Sequence, residues 1–280
     1  MRRLLFLFVL LLLGGCMTLE VKDNHFFIPG PAERPAPIPD AEEMRIGDLG
    51  GARVTRPDAE VELLYFGGNA SRVDDYGAFL VRALAPLRAN VTSFDYRGYG
   101  RSSGTPTIEA VKGDALAIYD FVRERAGPRP LLVHGVSLGS FIAAYIAANR
   151  PVDGLVLEAT APDVRSWATR QIPWYAKPFV RLKIAPALLE ASNVDVVRRY
   201  TGPLLLITGA DDPVTPPVFA RQLHAVSASP VKRLVIVPGA GHGDALAFPM
   251  AVQEYKVWSA AAPAAAFNPE APASGRTRVQ

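Results

Sequence analysis

Through the middle of the chain, six short apolar runs alternate with longer stretches in which apolar and polar positions recur with a helical period. The runs are VELLYF (61–66), VTSFD (91–95), PLLVHG (130–135), GLVLEA (154–159), PLLLITG (203–209) and RLVIVPG (233–239). Their length and near-continuous apolarity suit strands buried on both faces. The intervals at about 74–88, 107–126, 138–149, 216–226 and 249–260 are amphipathic helix candidates. Strand and helix in strict alternation predict the α/β class, a doubly wound parallel sheet with helices on both sides, in one domain.

One interval breaks the rhythm. Some forty residues separate GLVLEA from PLLLITG, and they carry Trp167, Trp174, Tyr175 and Phe179. A simple crossover needs far fewer. Ligands bind beyond the carboxyl ends of the strands in open α/β sheets, so a helical insertion over about 160–201 is expected to cap the site. A longer crossover packed on the flank of the sheet is the alternative.

The two ends differ from the middle. Residues 16–44 include FFIPGPAERPAPIPD, whose proline density favours extended, semi-rigid chain and predicts a tether. From about 263 to 280 the chain is rich in alanine and proline and poor in large apolar residues, which predicts a disordered tail. The first fifteen residues, MRRLLFLFVLLLLGG, run from charge through an apolar stretch to small residues. That is the order of a secretory signal, and the apolar stretch is short against the roughly 20 residues of a membrane span.

Leu13-Gly14-Gly15-Cys16 resembles the lipobox of bacterial lipoproteins. The resemblance implies cleavage before Cys16, acylation of that residue and a membrane anchor, with the outer membrane favoured by Met17 at the next position. Several acyl chains, at roughly 0.8 kcal/mol per buried methylene, would hold firmly. Cys16 is the chain's one cysteine, so a disulfide is not expected. Without Arg2 and Arg3 the chain carries 28 basic and 27 acidic side chains, a net +1. No clustered basic excess points to nucleic acid.

The candidate chemistry centres on Gly135-Val136-Ser137-Leu138-Gly139, between an apolar strand and the helix candidate LGSFIAAYIAANR. A serine on such a turn is forced into strained backbone geometry and projects its Oγ above the sheet. The helix N-terminus offers N–H groups and a favourable dipole to a developing oxyanion. Serine needs a base, and four histidines are available: His25, His134, His224 and His242. His25 falls in the tether and His224 on an outer helix. His134 lies on the strand itself, badly placed to receive the Oγ proton, and is expected to support the loop. His242, in the glycine-rich VPGAGHGDA after the last strand, is the candidate base. Asp211 and Asp212, after PLLLITG, are candidates to orient it, although an aspartate before proline also serves as a plain turn former.

With LYFGGNAS, FDYRGYGRSSG, HGVSLGS, GADDPVTPP and the GHGD loop, the chain resembles the serine hydrolases of the α/β-hydrolase superfamily, in its ABHD/BEM46-like and serine-aminopeptidase-like branch, over about residues 45–262. The resemblance implies a mostly parallel sheet with a short helical cap. It also implies a triad of Ser137, Asp212 and His242 without cofactor or metal. Spacing from Gly209 and to Pro216 selects Asp212 over Asp211 within that pattern. Backbone N–H groups of Asn69 and Leu138 would form the oxyanion hole. The family's usual histidine before the first glycine is absent, Gly67-Gly68 standing there instead. Asp95 to Gly100 is expected to shape the neighbouring loop.

The reaction class expected is hydrolysis of an ester or related acyl bond, on a small acyl substrate, by a membrane-anchored enzyme. Two other readings share the fold: a peptidase on the same triad, for which Glu158 could meet a substrate amine, and a non-catalytic binding protein.

Overall fold

Five of the six apolar runs become interior strands because both of their faces are covered, and the sixth, RLVIVPG, becomes an edge strand that is only partly buried. In a computed structural model, which describes residues 17–22 and 26–266, ten strands are present: β1 Met17–Val21, β2 Ala41–Ile46, β3 Leu49–Val54, β4 Val61–Phe66, β5 Ala89–Phe94, β6 Leu131–Val136, β7 Gly154–Glu158, β8 Val180–Ile184, β9 Leu204–Gly209 and β10 Lys232–Val237. Eight form one sheet in the order β10-β9-β7-β6-β4-β5-β3-β2. Pairing is parallel from β10 to β5 and antiparallel where β3 joins β5 and β2 joins β3. The period-two geometry of a strand sends Leu64, Val133, Leu155 and Leu206 into one core and Leu63, Leu132, Val156 and Leu205 into the other. Helices Ile108–Ala126 and Leu138–Asn149 cover the first face, and Pro249–Ala266 helps cover the second with Tyr255 and Trp258.

The β2–β3 hairpin is absent from the pattern of apolar runs. AEEMRI is mostly polar and LGGARV carries two adjacent glycines, so neither reads as a buried strand. Tertiary pairing decides both: β3 is received by β5, and a side chain at Gly51 would collide with the Ser93 carbonyl.

The expected tether is docked on the domain wherever it is described. β1 pairs in parallel with β8, and Val21 and Phe27 are buried in the core. The Gly30 amide donates to the Gly98 carbonyl at 2.8 Å, and the Arg72 guanidinium donates to the Ile28 carbonyl at 2.7 Å. The Arg34 amide reaches the Asp75 carboxylate at 2.6 Å. Proline-rich chain lacks internal hydrogen bonds, which leaves its backbone free to take these partners from the sheet loops. The domain therefore takes in the arm and the whole of β2, and a boundary at residue 45 is too late. Residues 1–16, with the signal segment and Cys16, lie outside the described residues, as do His25 and residues 267–280. The last helix runs to Ala266, past the expected start of the tail at 263.

Between β7 and β9 the insertion is mixed rather than wholly helical. It comprises helix Val164–Gln171, strand β8 and the short helices Pro186–Leu189 and Asn193–Val197. Strand β8 needs β1 as its partner, a contact 163 residues apart in sequence at the Glu20–Lys183 ion pair, so local composition could not announce it.

Candidate active site

Ser137 sits between β6 and the helix Leu138–Asn149 with φ 54° and ψ −114°, a left-handed conformation that a side chain resists. The strain is held by backbone pairing: the Ser137 amide donates to the Glu158 carbonyl at 3.0 Å, and the Ser140 amide and hydroxyl donate to the Ser137 carbonyl at 3.0 and 2.6 Å. Gly135 and Gly139 make room for the turn. A Cβ on Gly139 would run into the Phe66 carbonyl, and one on Gly135 into the Gly139 carbonyl. Close approach of backbone, more than free rotation, requires glycine here.

His242 Nε2 lies 2.9 Å from Ser137 Oγ, and His242 Nδ1 lies 2.8 Å from Asp212 Oδ2. The three residues come from the ends of β6, β9 and β10. His242 is carried by a loop in which Gly239 and Gly243 adopt φ 77° and 72°. This loop is stitched to the acid loop by backbone bonds: the Ala210 amide donates to the Val237 carbonyl at 2.9 Å and the Asp211 amide to the Ala240 carbonyl at 3.0 Å. That stitching turns Asp211 outward and Asp212 inward, so Asp212 is buried and Asp211 exposed.

Asp212 is held further by Thr215, which sequence reasoning passed over. Asp212 Oδ1 accepts the Val214 and Thr215 amides, both at 2.8 Å, while the Thr215 hydroxyl donates to Oδ2 at 2.7 Å. Burial alone would push the Asp212 carboxyl up. The hydrogen bonds from His242 and Thr215 outweigh it and hold the group below the ordinary carboxylate range. The signal for Thr215 was available as a threonine three residues after a turn-forming aspartate, a spacing that suits side-chain-to-backbone bonding.

His134 does not reach Ser137. It is fully buried, with Nε2 3.1 Å from Glu158 Oε2, and Tyr65 and Tyr255 meet it edge-on at 4.9 and 5.5 Å between ring centres. Burial, reinforced by Glu158, pushes both tyrosine hydroxyls well above the ordinary phenol range. Glu158 is thereby committed to the core under the turn and is not a cleft wall for a substrate amine. His134→Ala is expected to cost about 2–4 kcal/mol by stranding a buried carboxyl and leaving a cavity. Chemical denaturation measures the loss, and the folded fraction should keep its reactivity at Ser137.

Asn69 and Leu138 both line the cavity of about 370 Å³ that opens on Ser137 and His242. The Asn69 side chain is engaged elsewhere: its Oδ1 accepts the Tyr99 hydroxyl at 2.9 Å and the Ile28 amide at 3.1 Å. Tyr99 belongs to the segment Asp95 to Gly100, which acts as loop scaffold. Asp95 accepts the Val73 and Arg101 amides at 2.8 and 2.9 Å, and the Tyr96 hydroxyl donates to the Gly67 carbonyl at 2.8 Å. Hydrogen bonding from Tyr96 to the Gly67 carbonyl thus steadies a loop that has no histidine at this point.

The insertion supplies Trp167 to the same cavity, as expected of a cap, whereas Trp174 and Tyr175 are exposed on its outside. Asn193 ties it to the helix after Ser137, its Nδ2 donating to Ser140 Oγ at 3.3 Å, and to the end of β7 through Thr160 Oγ1 at 2.9 Å and the Ala161 carbonyl at 3.0 Å. Phe26, from the arm, is a further wall that the sequence did not announce. His224 faces away on helix Pro217–Val226, and His25 lies outside the described residues. Among the described residues, no group of three or more histidine, cysteine, aspartate or glutamate side chains converges as a metal site would.

Residues 63–182 match the family model described as the alpha/beta hydrolase fold. The sheet order, the strained serine between strand and helix, and the histidine and aspartate at later strand ends agree with that match. The chain has the α/β-hydrolase fold. A lysophosphatidylserine lipase, ABHD12, of Macaca fascicularis is 32% identical over 180 residues, covering 59% of this chain and 45% of that protein. The chain thus spans under half the length of this first curated relative. An uncharacterized protein of Mycobacterium tuberculosis is 29% identical over 216 residues, covering 76% of this chain and 74% of that one. Among solved structures, a Pyrococcus furiosus esterase superposes with TM-score 0.60 at 17% identity, covering 78% of this chain and 90% of the other. A Saccharomyces cerevisiae monoglyceride lipase does so with TM-score 0.61 at 14% identity, covering 84% and 99%. At these identities the structural likeness concerns the fold.

Proposed function

We propose that the protein is a serine hydrolase that cleaves an ester or related acyl bond through Ser137, His242 and Asp212. The observation that carries this reading is the unbroken chain from Ser137 Oγ to His242 at 2.9 Å and from His242 to Asp212 at 2.8 Å. Ser137 Oγ attacks the acyl carbonyl while its proton passes to His242 Nε2. The Asn69 and Leu138 N–H groups meet the oxyanion, and Asp212 supports the imidazolium. Collapse expels the alcohol, which takes the proton from His242. Water, deprotonated by the same imidazole, then releases the acid and restores Ser137.

Relatives named as lipases favour ester over amide substrates. So does the cavity itself, whose lining includes no aspartate or glutamate to receive a substrate amine. Parallel assays of p-nitrophenyl esters and aminoacyl anilides test the assignment. Ester turnover with anilides inert is expected, and the reverse would establish the peptidase. Failure of the folded protein to react with a fluorophosphonate would leave a binding protein of the same fold.

The lipobox-like segment ending in Cys16 supports an exported lipoprotein anchored to a membrane, with the outer membrane favoured where one exists. Cys16→Ser is expected to abolish metabolic labelling with palmitate and to move the protein from the membrane to the soluble fraction.

A further inference from the structure

Beside the cavity of about 370 Å³ at Ser137 lies a second, of about 270 Å³, between the helix Leu138–Asn149 and the insertion. Its walls are largely apolar and include Phe27, Val111, Ile142 and Leu188. Three side chains line both cavities: Leu138, Phe141 and Phe26. The first two belong to the helix that follows the nucleophile. Phe26 does not belong to the hydrolase sheet at all. It is carried on the arm, and its ring meets Trp167 edge-on, with 5.3 Å between ring centres.

The arm is fixed firmly enough to serve as a wall. The Ile28 amide is held by the Tyr99 hydroxyl at 2.5 Å and by Asn69 Oδ1 at 3.1 Å, and the Ile28 carbonyl accepts from buried Arg72 at 2.7 Å. Two residues further on, Gly30 exchanges backbone bonds with Gly98 and Gly100 at 2.8 and 2.9 Å. Between Phe26 and Ile28, Phe27 is sunk in the core. Phe26 therefore directly precedes an anchored stretch, Phe27 to Gly30, that is bonded to the loop carrying Asn69, and its ring is braced by Trp167.

The geometry points to Phe26 as the specificity-determining residue of this site. Its ring partitions a two-chamber acyl pocket and confines the acyl chain to the chamber at Ser137. The arm, the part of the chain between Cys16 and the sheet, thereby sets how long an acyl group is accepted. This inference rests on the hydrolase reading for its consequence in turnover, while the partition itself concerns binding alone.

The test compares kcat/KM for p-nitrophenyl butyrate, octanoate and palmitate across three variants of the full chain. Phe26→Ala joins the chambers and is expected to raise the palmitate-to-butyrate ratio by about tenfold or more, as added apolar contact per methylene allows. Phe26→Leu should fall between and serves if the alanine variant folds poorly. Ala191→Phe, which fills the second chamber, should leave the wild-type ratio unchanged and cancel the gain when combined with Phe26→Ala. An unchanged ratio in both Phe26 variants would overturn the proposal. So would a loss of palmitate turnover in Ala191→Phe alone, because the chain would then already pass the ring. Thermal shift of Ser137→Ala, with and without Phe26→Ala, by the corresponding free fatty acids reads the partition without turnover. Longer-chain binding gained only on removing the ring supports it even where no ester is cleaved, and that pairing of results would count against the hydrolase reading alone. Equal chain-length profiles for the two proteins would sink the partition.

Discussion

Ser137→Ala is expected to lose all covalent labelling by a fluorophosphonate and about 10⁶-fold in kcat on any ester the protein turns over, the scale seen when a triad nucleophile is deleted. The Ser137 hydroxyl pairs with His242, and the bonds that hold the turn run through the Ser137 backbone, so removal of the hydroxyl should leave the fold intact. A second substitution separates chemistry from strain. With φ at 54°, Ser137 pays for its conformation, and Ser137→Gly should be equally inactive yet more stable by about 1 kcal/mol. Intact-protein mass spectrometry reads the labelling and thermal denaturation the stability. Labelling that persists in Ser137→Ala would place the nucleophile elsewhere.

Asp212→Asn is expected to lower kcat by about 10⁴-fold with little change in KM. Asparagine can accept the bonds from Val214 and Thr215, but it can present its amide N–H to His242 Nδ1 and select the wrong tautomer. Nor can it stabilise the imidazolium. Its removal should also alter the acid limb of stability. The Asp212 carboxyl is held below its ordinary value, so the native state binds its proton less readily than the unfolded chain. Its contribution to stability is full above the unfolded carboxylate range, near pH 4, and is lost as pH falls through the lower folded value. Urea denaturation of the wild type and the Asn variant should therefore show a stability difference that shrinks on acidification. A difference independent of pH would mean that Asp212 acts only through shape.

Particular residues show how far the linear pattern reaches. VELLYF, PLLVHG and PLLLITG are almost continuously apolar because they are central strands covered on both faces, and that property is visible without neighbours. His242 was legible because glycines around it mark a loop at a strand end, and His134 because an apolar strand has no route to the Oγ side of the turn. Asp212 against Asp211 was open from turn chemistry alone, and spacing in the family pattern had to choose. The structure supplies the reason in the backbone bonds from Ala210 and Asp211 to the next strand loop.

Thr215, Phe26 and β8 were not legible in the same way. Each acts through a partner far along the chain: Thr215 serves a contact between the acid and His242, and Phe26 meets Trp167 across 141 positions. The proline-rich arm read as a tether because proline density reports the lack of internal bonds and is silent about external ones.

By itself, the order of apolar and polar residues determined the alternating sheet architecture, the turn that presents Ser137 and the loops that bring an acid and a base. These rest on periodicity and local backbone preference, which neighbours in sequence settle. Only the tertiary structure decided that the arm brings Phe26 to the cavity at Ser137, that the hairpin β2–β3 extends the sheet and that His134 belongs to Glu158. Those outcomes depend on which distant groups satisfy exposed backbone and apolar surface, and such pairing exists only once the chain has folded.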